Sequence, residues 1–267
     1  MLAAFVGHAL RSRQPALHAA TRGARRQASY IDSSDYEKES DKDMNANLGK
    51  EVLLYVDEDV LVFSKPHNVQ SAPGYKEHNS LVGKIAAKHG LSDLQRDQMV
   101  VHRLDYATSG VIVYARNVEA LACLHEQFRL KRVYKRYSAL VHGVFSQSLE
   151  GEIDLPLGKD LDNKPLNKVD VERGKPSVTQ WSLVASDKAR NVSLVHLRPM
   201  TGRTHQLRIH MSAIGHPILG DFFYAPRGIY EAARRLCLHA EELRFKHPRT
   251  QRPMKILDPC PFTIQDH

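Results

Sequence analysis

The sequence predicts an α+β domain built around a mixed, largely antiparallel central sheet with flanking helices. Short β-branched and apolar runs occur in neighbouring pairs, as expected for antiparallel strands, and only a few amphipathic segments interrupt them. Strands and helices do not alternate regularly enough for a doubly wound fold. The domain is expected to span residues 52–267.

The first half of the domain is expected to begin with two short strands around an acidic turn, in VLLYVDEDVLVFSKP. NSLVGKIAAKHG predicts a helix that ends at Gly90. VIVYA, at 111–115, is apolar and short enough for a buried strand. Asn117 is placed to cap a helix that follows it. The run YKRYSALVHG alternates as a strand and places Tyr137, Ala139 and Val141 on one face.

The second half begins with connections rich in Gly, Pro and Lys over 151–180. TQWSLVAS and NVSLVHLRP predict strands, and LCLHAEELRF predicts a final strand before a proline-rich tail. Between them, TGRTHQLRIHMSAIGHPILGD predicts a helix that Thr204 caps and Gly215 stops. Its inward stripe is Leu207, Met211 and Ile214.

Two segments precede the domain. Residues 1–31 contain five arginines and no acidic residue, which is typical of a transit peptide, with a mitochondrion favoured over a plastid. The alternative is a disordered basic tail that binds RNA. Residues 32–51 are polar and acidic and predict a disordered linker. If the segment is not a transit peptide, a cytoplasmic location is expected.

Charge and composition favour some classes of partner. The chain carries a net charge of +8 despite its acidic linker, which suits a polyanionic partner such as RNA. No apolar run reaches the roughly 18 residues of a membrane span, so no membrane partner is expected. The three cysteines lie far apart and predict neither disulfides nor a zinc site. A monomer is expected.

Two familiar motifs are excluded by spacing. HRLD differs from the kinase loop H-R-D-L-x-x-x-N because Asp105 is displaced by one residue and no Gly-rich loop exists. His205 and His210 are five residues apart on a predicted helix and point in different directions, whereas a zinc protease requires spacing i, i+4. No metal is therefore expected. His102 is expected to be a structural hydrogen-bonding residue.

Three segments remain as candidates for chemistry. Asp105 lies in a turn directly before a buried strand, where a rigid element can hold a catalytic group. Arg203 precedes a predicted helix that carries Arg208 near His205, an arrangement suited to phosphate or carboxylate. The strand over 134–143 carries two tyrosines, Tyr134 and Tyr137.

These segments resemble a known family. HRLDYATSGVIVYAR is similar to the signature of the RluA-type RNA pseudouridine synthases, and RPMTGRTHQLRIHMSAIGHPILGD is similar to their second motif. YKRYSALVHG and DEDVLVFSKPHNVQSAPG match their other segments in family order, over residues 52–265. The resemblance implies a pseudouridine synthase fold with an active-site cleft, and the isomerisation of uridine to pseudouridine in structured tRNA or rRNA.

The resemblance also implies roles for individual residues. Asp105 is implied as the catalytic aspartate, acting on the uracil ring, on the ribose or through a glycal. Tyr137 is implied as the active-site tyrosine, with Tyr134 outside the site. Arg208 is implied as the cation that pairs with the aspartate, and Arg103 as the residue that replaces the flipped uridine. Arg203 and His205 are expected to bind the substrate.

Further expectations concern cofactors and recognition. Because isomerisation needs no redox step, no cofactor is expected. An S4 RNA-binding domain of the kind found in many family members is not seen before residue 52, so the short form of the family is indicated. The catalytic domain would then recognise the RNA by shape. The alternative is a catalytically silent RNA-binding protein on the same fold.

Overall fold

The computed structural model describes residues 47, 49–73, 80–88, 98–146, 148–163 and 166–266. The predicted transit peptide or basic tail lies outside these residues, as does most of the predicted acidic linker. At the end of that linker, Glu51 forms an ion pair of 2.6 Å with Lys84. The contacts of the folded domain therefore include Glu51.

The domain is built on a mixed, largely antiparallel sheet, as predicted. Its strands run in the order β1-β2-β3-β10-β4-β9-β8-β5, with β11 paired to β10, and β6 and β7 form a separate hairpin. The pair β3–β10 is parallel, and the other pairs of named strands are antiparallel. In the described part of the chain the strands are β1 Val52–Val56, β2 Val60–Lys65, β3 Ser109–Ala115, β4 Tyr134–His142, β5 Glu150–Asp154, β6 Leu157–Lys159, β7 Asn167–Val169, β8 Val178–Asp187, β9 Val192–Pro199, β10 Leu238–Lys246 and β11 Pro253–Leu257.

A few short helices flank the sheet. Over the described residues they are α1 Leu81–Lys88, α2 Val118–Arg129, α3 Gln206–Ala213 and α4 Arg227–Tyr230, followed by a 3-10 turn at Ile264–Asp266. The predicted cap of α2 is confirmed, because Asn117 Oδ1 accepts a hydrogen bond of 2.8 Å from the Ala120 N–H. No helix within the described ranges has the length and apolar character needed to cross a membrane.

The predicted start of α3 is wrong. The helix begins at Gln206, its N-cap is His205 in a left-handed conformation (φ 57°), and no side chain caps it. The Gln206 carboxamide organises the preceding turn instead, because its Oε1 accepts from Thr201 Oγ1 at 2.7 Å and from the Arg203 N–H at 3.1 Å. Thr204 is left exposed.

Four strands were not predicted: β5, β6, β7 and β11. They lie in segments that the sequence assigns to connections and to the tail. Each has three to five residues, so periodicity carries little signal. These segments become strands by pairing, β5 with β8, β6 with β7, and β11 with β10.

The parallel pair at the centre of the sheet depends on a glycine. Gly110 has φ 113°, and a Cβ at this position would lie 2.3 Å from the Ala240 carbonyl oxygen. Only glycine permits both this backbone conformation and this close approach. The pairing fixes the start of β3 against β10, and hence the position of the HRLD turn that comes just before it.

Candidate active site

The predicted cleft is present, with a volume of about 530 Å³. Most of its walls come from residues 70–73, the HRLD turn, strand β4, and the segment that leads from β9 into α3, and Phe128 of α2 and Leu238 of β10 complete them. Tyr137 packs against two of the hydrophobic core clusters. The cleft therefore opens where two parts of the core meet, so a rigid scaffold supports its walls.

The turn that carries Asp105 is held on both sides by hydrogen bonds. The Ser71 hydroxyl donates to the Leu104 carbonyl at 2.9 Å and accepts from the Leu104 N–H at 3.1 Å. The Lys65 ammonium donates to the carbonyl of Tyr106 at 3.1 Å, and to those of Pro66 and Val69 at 2.8 and 2.7 Å. Asp105 is thus fixed by its neighbours along the chain.

The carboxylate of Asp105 is itself unpaired. It is half-buried, lines the cleft, and makes neither a side-chain hydrogen bond nor an ion pair with the described residues. Its charge nevertheless acts on the pKa of five surrounding groups, namely Lys65, Tyr137, His205, Arg208 and Tyr224. A carboxylate that is central to such a cluster and open to the cleft is available to react with a bound substrate.

Strand alternation separates the two tyrosines. Tyr137 lines the cleft with Lys135, and burial, together with the charge of Asp105, raises the pKa of its hydroxyl. Tyr134 lies on the opposite face of the sheet, where the guanidinium groups of Arg198 and Arg244 lie 5.0 and 4.6 Å from its ring centre. Tyr137 is therefore the tyrosine placed beside Asp105.

The structure corrects the expected partner of Arg208. Its guanidinium forms a bidentate ion pair with Asp221, with Nε to Oδ2 at 2.8 Å and Nη2 to Oδ1 at 2.6 Å. Among the described residues it has no ion pair with Asp105, whose charge acts only at longer range. Burial lowers the pKa of Arg208, but the Asp221 carboxylate outweighs burial and raises it.

The rim of the cleft is basic. Arg103 and Arg203 are exposed and line the opening, and the Lys135 ammonium lies 6.0 Å from the ring centre of Phe128. His102 stacks on the same ring at 4.8 Å, and its Nε2 accepts a hydrogen bond from the Val113 N–H at 3.2 Å. This contact is the structural role expected for His102.

The segment around α3 adds a histidine and a tyrosine to the site. His205 lines the cleft, and its Nδ1 is 2.8 Å from the Tyr224 hydroxyl. The rings of Phe223 and Tyr224 also cover the Arg208 guanidinium at 5.3 and 5.1 Å. The Asp221 Oδ1 accepts from the N–H groups of Phe223 and Tyr224. The Arg208–Asp221 pair thus positions the Tyr224 segment against His205.

Sequence reasoning missed four residues of this site: Lys65, Thr108, Asp221 and Tyr224. Lys65 is fully buried, and burial lowers the pKa of its ammonium to about 7 despite the opposing charge of Asp105. Thr108 lines the cleft, is 2% exposed, and its hydroxyl has no partner in the described chain. The signal for Lys65 was a lysine at the end of a strand that begins with four apolar residues, and the signal for Asp221 was an acid in the GDFFY run.

A second cavity and a cluster of possible metal ligands are alternative candidates for a site, and neither is supported by the described residues. A cavity of about 1000 Å³ has walls that end at Lys88 and Gln98, on either side of residues that the structure does not describe, so its volume defines no site. Asp57, Asp59 and His247 bring together three possible metal ligands. However, Arg249 donates to both oxygens of the Asp59 carboxylate, and none of the three lines the cleft.

Comparison with known proteins gives a consistent result. Residues 59–213 match the family model for RNA pseudouridylate synthase. The chain is 41% identical over 212 residues to the dual-specificity RNA pseudouridine synthase RluA of Pasteurella multocida, covering 79% of this chain and 93% of that protein. It is 44% identical over 215 residues to the RluA of Escherichia coli K12, covering 79% and 94%.

Solved structures agree with these sequence matches. Human RNA pseudouridylate synthase domain containing 1 aligns with a TM-score of 0.68 at 29% identity, covering 80% of this chain and 85% of that one. Human RNA pseudouridylate synthase domain containing 4 shares the fold, with a TM-score of 0.61 at 23% identity, covering 84% and 94%. Fold, motifs and matches together assign the chain to the RNA pseudouridylate synthase family, whose reaction is the isomerisation of uridine in RNA.

Proposed function

We propose that Asp105 is the catalytic residue of this isomerase and that Tyr137 contacts the uracil ring beside it. The observation that carries the proposal is the unpaired Asp105 carboxylate, held on a rigid turn in the same cleft as Tyr137. A carboxylate that has no ion-pair partner among the described residues can act on a bound substrate without first breaking such a pair, and carboxylates are known nucleophiles. A phenol ring suits a pocket that holds a flat base, because the apolar ring can pack against the base and the hydroxyl at its edge can reach the C5 proton.

The reaction leaves the atomic composition of the nucleotide unchanged. The bond between uracil N1 and ribose C1′ breaks, the uracil turns within the cleft, and a new bond joins C5 to C1′. The proton on C5 leaves and N1 gains one, so no oxidant or other reactant is needed. Asp105 acts by attack on the ring, by attack on the ribose, or by assisting a glycal, and Tyr137 assists removal of the C5 proton.

The arginines divide into two groups in this proposal. Arg103 and Arg203, at the exposed rim, contact the RNA, with Arg103 filling the space that the flipped uridine leaves. Arg208 is buried with Asp221, so it supports the site through the electrostatic effect of its positive charge and by holding the segment that carries Tyr224. Flipping a base costs a few kcal/mol, and contacts of this kind offset that cost.

The proposed substrates are uridines in tRNA and rRNA. The relatives from Pasteurella and Escherichia are named dual-specificity enzymes, and the basic rim of this chain suits structured RNA. We also propose that the protein is located in the mitochondrion, because residues 1–31 have the composition of a transit peptide. A monomer is the proposed oligomeric state. A fusion of residues 1–31 to a fluorescent protein tests the location, since a diffuse signal would contradict it.

Catalysis is tested by tritium release from tRNA and rRNA labelled at uridine C5. Wild type should release tritium, and Asp105→Asn should lose at least about 10³-fold in rate, as expected for a lost nucleophile or base. Asp162→Asn, at a side chain that is 87% exposed, is the matched control and should keep full activity. If wild type and Asp105→Asn bind RNA equally and neither releases tritium, the silent RNA-binding alternative is correct.

A further inference from the structure

The Tyr224 hydroxyl lies between two partners of different character. The backbone N–H of Asn167 donates to Tyr224 Oη at 3.2 Å, and Nδ1 of His205 lies 2.8 Å from the same oxygen. A backbone N–H can only donate, so it uses a lone pair of the hydroxyl and not its proton. The Tyr224 hydroxyl proton therefore remains available for a different acceptor.

Among the described residues, His205 Nδ1 is the acceptor within reach of that proton. The arrangement that uses the Tyr224 proton within the described residues has the hydroxyl donating to His205 Nδ1, while the Asn167 N–H occupies a lone pair of the same oxygen. In that arrangement His205 Nδ1 is the unprotonated nitrogen of the ring. A neutral imidazole carries its single proton on the other nitrogen, Nε2.

The surroundings of His205 keep the ring neutral. Burial lowers the pKa of the imidazole to about 4, and the nearby Arg208 guanidinium acts in the same direction, against the weaker effects of Asp105 and Asp221. The ring is packed at 5.8 Å from that of Phe223 and at 5.5 Å from that of Tyr224. At neutral pH His205 is thus a fixed neutral side chain that lines the cleft.

The Nε2–H of His205 has no use within the part of the chain that the structure describes. The described residues offer it no hydrogen-bond partner, whereas Nδ1 has one. The backbone of His205 is also left-handed, with φ 57°, a conformation that few non-glycine residues adopt but in which His, Asn and Asp are enriched. His205 therefore lines the cleft with an N–H donor to which the described residues offer no partner.

We propose that Tyr224 is a positioning residue that fixes His205 as the Nε2–H tautomer, and that this N–H donates to a carbonyl oxygen of the flipped uracil. The inference rests on the proposed function, since it places the base beside Asp105. A neutral donor suits this task, because uracil is neutral and its ring carries two carbonyl acceptors. A fixed tautomer keeps the donor in place as the ring detaches and turns.

Three substitutions of His205 separate the effect of losing the Nε2–H donor from the effect of the left-handed backbone conformation. The amide nitrogen of Gln reaches the position of Nε2, whereas that of Asn reaches only the position of Nδ1. Asn and Gly tolerate the left-handed backbone better than Gln does. If the donor matters, His205→Gln should stay within about threefold of wild type, and His205→Asn and His205→Gly should lose about tenfold or more. Tritium release under single turnover is the measurement.

The opposite order of activity among the three His205 variants would overturn the proposal. If His205→Asn or His205→Gly is as active as His205→Gln or more so, the role of His205 is structural. Thermal unfolding of each variant shows whether it is folded at the assay temperature. If wild type itself releases no tritium from any RNA tested, the proposed function fails. The tautomer of His205 is then tested by nitrogen NMR alone.

The role of Tyr224 is tested by nitrogen NMR of protein with labelled histidine. The His205 signals, identified by their loss in His205→Gln, should show Nδ1 unprotonated and Nε2 protonated. Tyr224→Phe should shift this ring towards a mixture of tautomers and lower the tritium-release rate about three- to tenfold. A wild-type ring protonated on Nδ1, or a Tyr224→Phe variant with full activity and an unchanged tautomer, would contradict the proposal.

Discussion

The Arg208 guanidinium forms a bidentate ion pair with Asp221 at 2.6 and 2.8 Å. Both side chains are almost fully buried, at 4% and 1% exposure. The same carboxylate accepts hydrogen bonds from the backbone of Phe223 and Tyr224. Arg208 therefore anchors the segment that carries Tyr224, while the Asp105 carboxylate has no ion-pair partner among the described residues.

The first prediction concerns this pair. Asp221→Asn leaves a buried guanidinium without its counter-charge, and we expect a loss of about 3–5 kcal/mol in the free energy of unfolding. Urea unfolding followed by circular dichroism is the measurement. The control is Glu231→Gln, which breaks the exposed pair with Arg227 and should leave stability within experimental error. Equal losses in the two variants would show that burial of the Arg208 pair does not matter.

The second prediction concerns Lys65 and pH. Its ammonium has a pKa of about 7 in the folded protein, against 10.5 when unfolded. The unfolded chain therefore binds more protons between pH 7 and 10.5, so this residue makes stability rise with pH in that window. The free energy of unfolding of wild type, relative to Lys65→Met, should increase from pH 7 towards pH 10. Parallel pH profiles for the two proteins would refute this.

The third prediction concerns the buried hydroxyl of Thr108, which has no partner among the described residues. Thr108→Val removes an unsatisfied group with little change of shape, so we expect stability to rise by about 1 kcal/mol. The control is Thr179→Val, because the Thr179 hydroxyl is bonded to Gln206 and His210 and its removal should destabilise the protein. Chemical unfolding of both variants is the check; destabilisation by Thr108→Val would show that its hydroxyl is satisfied.

The fourth prediction concerns the rim of the cleft. Arg203→Gln should weaken RNA binding, and the slope of log affinity against log salt should fall by about one unit, since one phosphate contact is lost. Filter binding across a salt series measures both. Arg190→Gln is the control, because Arg190 lies in the turn between β8 and β9, at the end of β9 away from the cleft. An unchanged slope for Arg203→Gln would place the RNA elsewhere.

Several elements could be predicted from the sequence because they depend on local physics. Asn117 caps α2 through a bond to a residue three positions away, and the alternation of β4 places Tyr137 in the cleft and Tyr134 on the opposite face. The turn before β3 follows from a polar loop that meets a buried β-branched run. The mixed sheet follows from the paired order of such runs.

The partners of the buried polar groups were decided by the tertiary structure alone. Arg208 binds Asp221, thirteen residues away, and Lys65 bonds to the Tyr106 carbonyl forty-one residues away. Nδ1 of His205 lies 2.8 Å from the hydroxyl of Tyr224, which is on another segment. Periodicity specifies which face a residue occupies, but the partner of a buried charge depends on which segments the sheet brings together. The sequence by itself determined the family, the sheet and the place of Asp105; packing decided how that aspartate is supported.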